Sequence, residues 1–211
     1  MAEPAPPSAT VRIGMTVPQL ADAFPGRVHP ADMTDDAPVT VTTPVSLTIL
    51  AGSSDLVLPP TRFVMVSQAT GVVYGVDTSP MLEFGSLAAC HDLASHLVGT
   101  VGASGWTLGE RYTPTLPDMQ AVLAEPGRMR FEQTYAAFHT GPATLRLYVR
   151  EMRGAGPDGQ AAPPGTLFLV NVDVVDEVLH GTLMERMFAR RQASGAGTGT
   201  LPLRAWLSGG P

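Results

Sequence analysis

Two short segments of similar sequence, 99 residues apart, constrain the fold of this chain more than any other feature. The segment TVPQLADAFPG begins at Thr16, and TLPDMQAVLAEPG begins at Thr115. Each has a threonine suited to cap a helix, a proline that fits the first turn, and a closing Pro-Gly that stops the helix. A second pair, VVYGVD at 72–77 and FLVNVD at 168–173, is offset by 96 residues. Because the two offsets nearly agree, the sequence predicts two copies of one structural unit.

Each half of the chain has three strand-like segments, rich in β-branched and aromatic residues and separated by glycine and proline. They cover 39–50, 62–68 and 71–77 in the first half and 130–139, 143–152 and 166–174 in the second. Pro44 predicts that the first strand lies at a sheet edge or is split in two. A helix follows each group, over about 84–101 and about 176–191. The sequence therefore predicts an α+β fold of two helix–three-strand–helix repeats, with antiparallel sheets and helices packed on one face.

The predicted repeats define the organisation of the chain into domains. Repeat 1 covers 11–105, repeat 2 covers 106–191, and a flexible Gly-rich tail covers 192–211. Residues 154–165, GAGPDGQAAPPG, are typical of a long hairpin loop. The chain of 211 residues is long enough for this arrangement, because domains of about 100 residues can each bury a core.

Charge and composition exclude several classes of partner. The formal net charge is −6 and no basic run is longer than Arg190-Arg191, so the chain lacks the cationic face that binds nucleic acid. No window approaches the roughly 18 apolar residues of a transmembrane helix, and the single Cys90 excludes an internal disulfide. The Pro-rich start is typical of residues that follow a cleaved export signal. We therefore expect a periplasmic protein whose signal peptide is removed, with the cytoplasm as the alternative.

Motifs for catalysis, metals and cofactors are weak. In CHDLASH at 90–96, only Asp92 and His96 share a helix face, because His91 and His96 are five residues apart. VGASGW at 101–106 lacks the G-x-S-x-G spacing of a nucleophile elbow. The sequence thus indicates a protein that is not an enzyme and has no cofactor. Asp92 and His96 are the one hint of the alternative, a small-molecule or metal-binding enzyme.

Strand 143–152 predicts a binding surface. Its alternation places Leu145, Leu147 and Val149 on one side of the sheet, and Arg146, Tyr148 and Arg150 on the other. Arginine and tyrosine are frequent at interface hot spots. We expect these polar residues to contact a partner protein on an open sheet face, and the alternative is that this face is solvated or covered by the tail.

Two aromatic residues between the predicted repeats, Trp106 and Tyr112, are further candidates for contact with a partner. Large aromatic side chains are enriched at interfaces because they combine apolar area with a polar group. The same properties suit a core position. Whether Trp106 and Tyr112 bind a partner or join the two halves is left open by the sequence.

The stretch IGMTVPQLADAFPG resembles the opening of the SmpA/OmlA outer-membrane lipoprotein family, whose small domains begin with a Gly-Met-Thr turn and a short helix. Gly14, Met15, Thr16, Leu20 and Phe24 carry the resemblance. The tandem layout is similar to that of the β-lactamase-inhibitor-protein family, in which a concave surface grips an enzyme. The resemblance implies a protein-binding scaffold of the bacterial envelope. We expect an inhibitor or immunity protein that occludes an enzyme or toxin, or alternatively an assembly or secretion accessory factor that holds a client without inhibiting it.

Overall fold

The structure is a computed structural model that describes residues 5–28, 37–126, 130–152 and 167–193. Among these residues the helices are α1 (Val17–Ala23), α2 (Leu87–Ala103), α3 (Leu116–Leu123) and α4 (Glu177–Ala193). The strands are β1 (Ser8–Arg12), β2 (Val39–Val41), β3 (Ser46–Ala51), β4 (Ser54–Val57), β5 (Phe63–Ala69), β6 (Val72–Ser79), β7 (Thr107–Arg111), β8 (Glu132–Thr140), β9 (Ala143–Glu151) and β10 (Phe168–Asp176). The fold is mixed α+β, as predicted. The predicted loop at 154–165 lies outside the described residues.

One antiparallel sheet of seven strands crosses both halves of the chain. Its strand order is β2-β5-β6-β10-β9-β8-β7. Strands β6 and β10 are direct neighbours, with Val174 opposite Val76 and Val172 opposite Thr78. The sheet therefore continues across the predicted repeat boundary at 105/106, which falls between α2 and β7.

The first half has more strands than predicted. Strands β1, β3 and β4 form a second sheet of three strands, in which β1 runs parallel to β3. The predicted strand 39–50 is split at Pro44, so that β2 joins the edge of the large sheet and β3 joins the small one. Proline has no backbone N–H for a strand ladder, which explains the break. The parallel β1–β3 pairing departs from the expected antiparallel arrangement.

The helix starts follow the predicted caps. The backbone N of Thr16 donates to Gln19 Oε1 at 2.8 Å before α1, and Thr115 Oγ1 accepts from the backbone N of Asp118 at 3.3 Å before α3. Helix α2 begins after Ser86, whose Oγ accepts from the backbone N of Ala89 at 3.2 Å. Its start is later than predicted because Ser86 supplies this cap. Helix α4 extends to Ala193, two residues into the predicted tail.

The large sheet has helices on both faces, so the prediction of helices on one face is wrong. Helix α2 packs on β8, β9 and β10, and its apolar stripe joins Leu145, Leu147 and Val149 in the main core. Helix α4 contacts β5, β6, β9 and β10, and its His180 ring stacks on Tyr74 with centroids 4.4 Å apart. Its buried Leu183 lies outside the main core cluster. The cause is that β10 leads directly into α4, which turns back over the face opposite α2.

Within the residues that the structure describes, the four helices are too short or too polar to span a bilayer.

Candidate functional site: the polar face of the large sheet

The face of the large sheet opposite α2 carries two rows of mostly polar side chains, and we call it the polar face. Residues directly opposite one another on paired strands point to the same side of a sheet. Following the register across β5, β6, β10 and β9, the first row is Met65, Asp77, Asp173 and Arg146. Phe63 pairs with Ser79, and Asn171 pairs with Tyr148. These four residues form the second row, because Ser79 and Asn171 each lie next to the last pair of β6 and β10, Thr78 and Val172. Arg150 follows on the same side of β9. The predicted placement of Arg146, Tyr148 and Arg150 on one face is therefore confirmed.

Arg146 is the most clearly presented member of the predicted site. Its side chain is 47% exposed, and its Nη1 lies 3.1 Å from Glu132 Oε1 on β8. The guanidinium carbon also lies 4.4 Å from the centroid of the Tyr148 ring, in a cation–π arrangement. An ion pair on one side and an aromatic ring beneath hold this arginine in one position while leaving its outer edge accessible.

Tyr148 lies on the predicted face, but its side chain is not accessible to a partner. The residue is 4% exposed, and the guanidinium of Arg146 lies over its ring. Burial raises the pKa of its hydroxyl to about 12. Tyr148 is therefore a support for Arg146 and not an exposed contact, which corrects the expectation from the sequence.

The two aromatic candidates, Trp106 and Tyr112, lie in different environments. Trp106 is 3% exposed and belongs to the main core. The prediction that Trp106 contacts a partner is therefore wrong, and the alternative, that it is a core aromatic residue, is correct. Tyr112 is 45% exposed, beyond the end of edge strand β7. Its hydroxyl donates to Glu110 Oε2 at 2.6 Å. Tyr112 stays a candidate contact.

Asp77 and Asp173 form a carboxylate pair that the analysis of motifs missed. They are direct cross-strand partners on β6 and β10. The pKa of Asp173 is raised to about 6, first by burial and then by the charge of Asp77. The signal was present in the sequence, because VVYGVD and FLVNVD both end in aspartate. Equivalent positions in the aligned segments thus meet at the centre of the sheet.

An open groove of about 320 Å³ lies on the polar face beside this pair, and we call it the sheet groove. Its polar lining comes from Thr40, Thr42, Asp77, Thr78, Ser79, Arg150 and Asn171, and its apolar lining from Phe63, Val64 and Met65. Three of these residues, Arg150, Ser79 and Asn171, each contain a polar atom that is enclosed by the protein and has no hydrogen-bond partner among the described residues.

The alternative site on α2 gathers few groups. Asp92 and His96 are both exposed, and the neighbouring His91 is occupied by the Tyr135 hydroxyl, 2.7 Å from its Nδ1. In the described ranges, three or more His, Cys, Asp or Glu side chains do not come together in a way that could hold a metal ion. The structure therefore adds nothing to Asp92 and His96 beyond their shared helix face.

The fold and the site define an α+β protein whose seven-stranded antiparallel sheet carries one polar, partly open face. Comparisons with protein families, with curated proteins and with solved structures found no match. The geometry of the polar face is thus the main basis for inferring function.

Proposed function

We propose that this protein is a non-enzymatic, protein-binding module of the bacterial envelope and that it binds its partner through the polar face. The observation that carries the proposal is the setting of Arg146, which is half-exposed yet held by Glu132 and the Tyr148 ring. Binding orders mobile side chains at an entropic cost, so a side chain fixed beforehand contributes more to affinity. Arginine in such a setting is a frequent hot spot.

An inhibitor or immunity protein that occludes an enzyme or toxin is the version we favour. The formal net charge of −6 would steer the protein to a basic target. The resemblance of the opening helix region to the SmpA/OmlA family supports the envelope, and hence the periplasm over the cytoplasm. The alternative is an accessory factor for assembly or secretion, which would use the same face to hold a client without blocking an activity.

We further propose that residues 11–105 and 106–191 descend from one duplicated unit. Asp77 and Asp173 are equivalent under the 96-residue offset, and they are also direct partners across β6 and β10. A twofold axis perpendicular to the sheet between β6 and β10 would produce this relationship for the strands, but it does not relate α2 to α4, which lie on opposite faces. The caps at Thr16 and Thr115 support the same conclusion, since each precedes a short helix in its half.

The test is quantitative affinity capture from extract of the native cells, with the retained proteins identified by mass spectrometry. The tagged protein, Arg146→Glu and Arg12→Glu are compared, because Arg12 is an exposed arginine on the small sheet. We expect one protein to be retained in stoichiometric amount by the unaltered protein and by Arg12→Glu, and lost with Arg146→Glu. Equal retention by all three would place binding elsewhere. An assay of the captured partner's activity then separates an inhibitor from an accessory factor.

A further inference from the structure

We infer that residues 201–207 of this chain, LPLRAWL, dock in the sheet groove as an intramolecular ligand. In this arrangement Arg204 lies against the acidic pair Asp77 and Asp173, and Trp206 packs on the apolar wall of the groove. The segment itself lies outside the described residues, so the inference rests on its sequence and on the groove that the structure describes. It goes beyond the proposed function and does not depend on it.

The groove has an excess of negative charge beside it. Asp77 lines the groove, and Asp173 is its direct cross-strand partner. Arg146, the neighbour of Asp173 on β9, is already paired with Glu132 at 3.1 Å. A further cation at the two carboxylates would relieve their mutual repulsion. Arg204 supplies a cation that is always charged, and it is the only charged side chain after position 191 in the sequence.

The apolar wall suits the other residues of the segment. It consists of Phe63, Val64 and Met65, and Met65 is 37% exposed. Apart from Arg204, every residue of LPLRAWL is apolar. Docking of the Trp206 ring would remove about 150–250 Å² of surface from water, and burial of apolar surface is favourable.

The spacing of the two contacts in the segment matches their spacing in the groove. Met65 and Asp77 are directly opposite each other on β5 and β6, and such cross-strand neighbours lie about 5 Å apart. Arg204 and Trp206 are two residues apart, so in an extended segment they point to the same side at a separation of about 7 Å. The arginine therefore reaches the acidic pair while the indole reaches the wall.

Helix α4 brings the chain to the correct side of the sheet. It begins directly after β10, and its His180 stacks on Tyr74 of β6, so the helix advances from β10 towards β5, which it also contacts. It ends at Ala193 on the polar face, on the side where β5 lines the groove. The eight Cα steps from Ala193 to Leu201 span up to about 26 Å. This reach exceeds the width of about 15 Å across four neighbouring strands.

Weak contacts are enough for docking within one chain. A short linker gives an effective concentration of about 1 mM, so a segment that binds the groove with Kd of about 0.1 mM is docked in about nine of ten molecules. Met65 belongs both to the groove and to the face proposed for the partner. A partner bound at Met65 therefore displaces the segment.

The experiment uses Trp206 as a fluorescent reporter in the full chain. Trp106→Phe removes the other tryptophan of the sequence, so that the emission comes from Trp206 alone. Acrylamide quenching of this variant is compared with that of a synthetic peptide of residues 198–209. We expect a quenching constant several-fold smaller in the chain than in the peptide, with emission shifted to shorter wavelength. In concentrated urea the two constants should agree.

Two further variants in the same background locate the contact. Met65→Lys places a cation and a polar group on the wall, and Arg204→Glu reverses the charge of the segment. Each should raise the quenching constant of Trp206 to the value of the peptide. Val57→Lys is the matched control, because Val57 is a 63% exposed strand residue on the small sheet, and it should leave the quenching unchanged. Circular dichroism confirms that each variant is folded.

Three results would overturn the inference. In the first, Trp206 is quenched as readily in the folded chain as in the peptide. In the second, its protection persists in both Met65→Lys and Arg204→Glu, which would place the segment elsewhere. In the third, protection is lost on dilution, which would mean that a second copy supplies the segment. The purified protein is measured without a partner, so each of these results leaves the proposed function standing.

Discussion

Asp77 and Asp173 lie directly opposite each other on the neighbouring antiparallel strands β6 and β10. Like charges in direct cross-strand positions destabilise a sheet. Here burial adds to the effect, and the pKa of Asp173 rises to about 6. The polar face therefore carries a carboxyl group that titrates near neutral pH, at the junction between the two halves of the chain.

Replacing Asp173 by Asn should stabilise the protein at high pH and have less effect at low pH. The pKa of Asp173 rises from 3.8 in an unperturbed chain to about 6 in the fold, so the folded state favours the protonated form. Its contribution to stability is thus greatest below about pH 4 and is lost as pH rises to about 6. Asp173→Asn should raise the free energy of unfolding by about 1–3 kcal/mol at about pH 8.

Urea denaturation at about pH 4 and about pH 8 measures this difference. Asp55→Asn is the matched control, because Asp55 is an exposed aspartate on β4. A gain from Asp173→Asn that is the same at both pH values, or a loss at the higher pH, would contradict the origin we assign to the shifted pKa.

Tyr148 and Arg146 should respond differently to alanine. Tyr148→Ala removes a buried ring and should lower the free energy of unfolding by about 3–5 kcal/mol. Arg146→Ala should lower it by about 1 kcal/mol, since it removes one partly exposed ion pair and one cation–π contact. Chemical denaturation of both variants is the measurement. Small losses for both would mean that Tyr148 is an exposed contact after all.

Trp106 should behave as a core residue whose indole N–H contributes nothing. Its Nε1 is buried and unpaired among the described residues. Trp106→Ala should lower the free energy of unfolding by about 3–5 kcal/mol, whereas Trp106→Phe keeps most of the apolar volume and should lower it much less. Thermal unfolding compares the two variants. Equal losses would show that the indole nitrogen has a role that the geometry does not account for.

Cys90 should resist thiol reagents while the protein is folded. The side chain is fully buried in α2, and burial raises the pKa of the thiol to about 11. The reactive thiolate is therefore scarce at neutral pH, and access is blocked as well. Iodoacetamide should modify Cys90 slowly in buffer and rapidly in concentrated urea. Modification at the unfolded rate in buffer would mean that α2 opens readily from the sheet.

The helices could be predicted because their signals are local. Thr16 and Thr115 with their following prolines fix where α1 and α3 begin, and strand alternation assigned Arg146 and Tyr148 to one face. The β1–β3 pairing was missed because a parallel pair joins segments far apart in sequence, with no local signal in either. Alternation predicts which face a side chain occupies but not what covers that face, so the burial of Tyr148 was not predicted.

The residues of the sheet groove were missed for a related reason. Ser79 and Asn171 come from different halves of the chain and meet only because β6 pairs with β10. Neither belongs to a recognisable motif. The sequence did show that VVYGVD aligns with FLVNVD. These segments form β6 and β10, the two strands at the centre of the polar face.

The measurement that tests the central claim most directly is photo-crosslinking in living cells. A benzoylphenylalanine replaces Met65, a 37% exposed member of the polar face, in one strain and Arg12 on the small sheet in another. We predict that Met65→benzoylphenylalanine crosslinks one partner protein and that Arg12→benzoylphenylalanine does not. Crosslinking from position 12 alone, or from neither position, would contradict binding through the polar face.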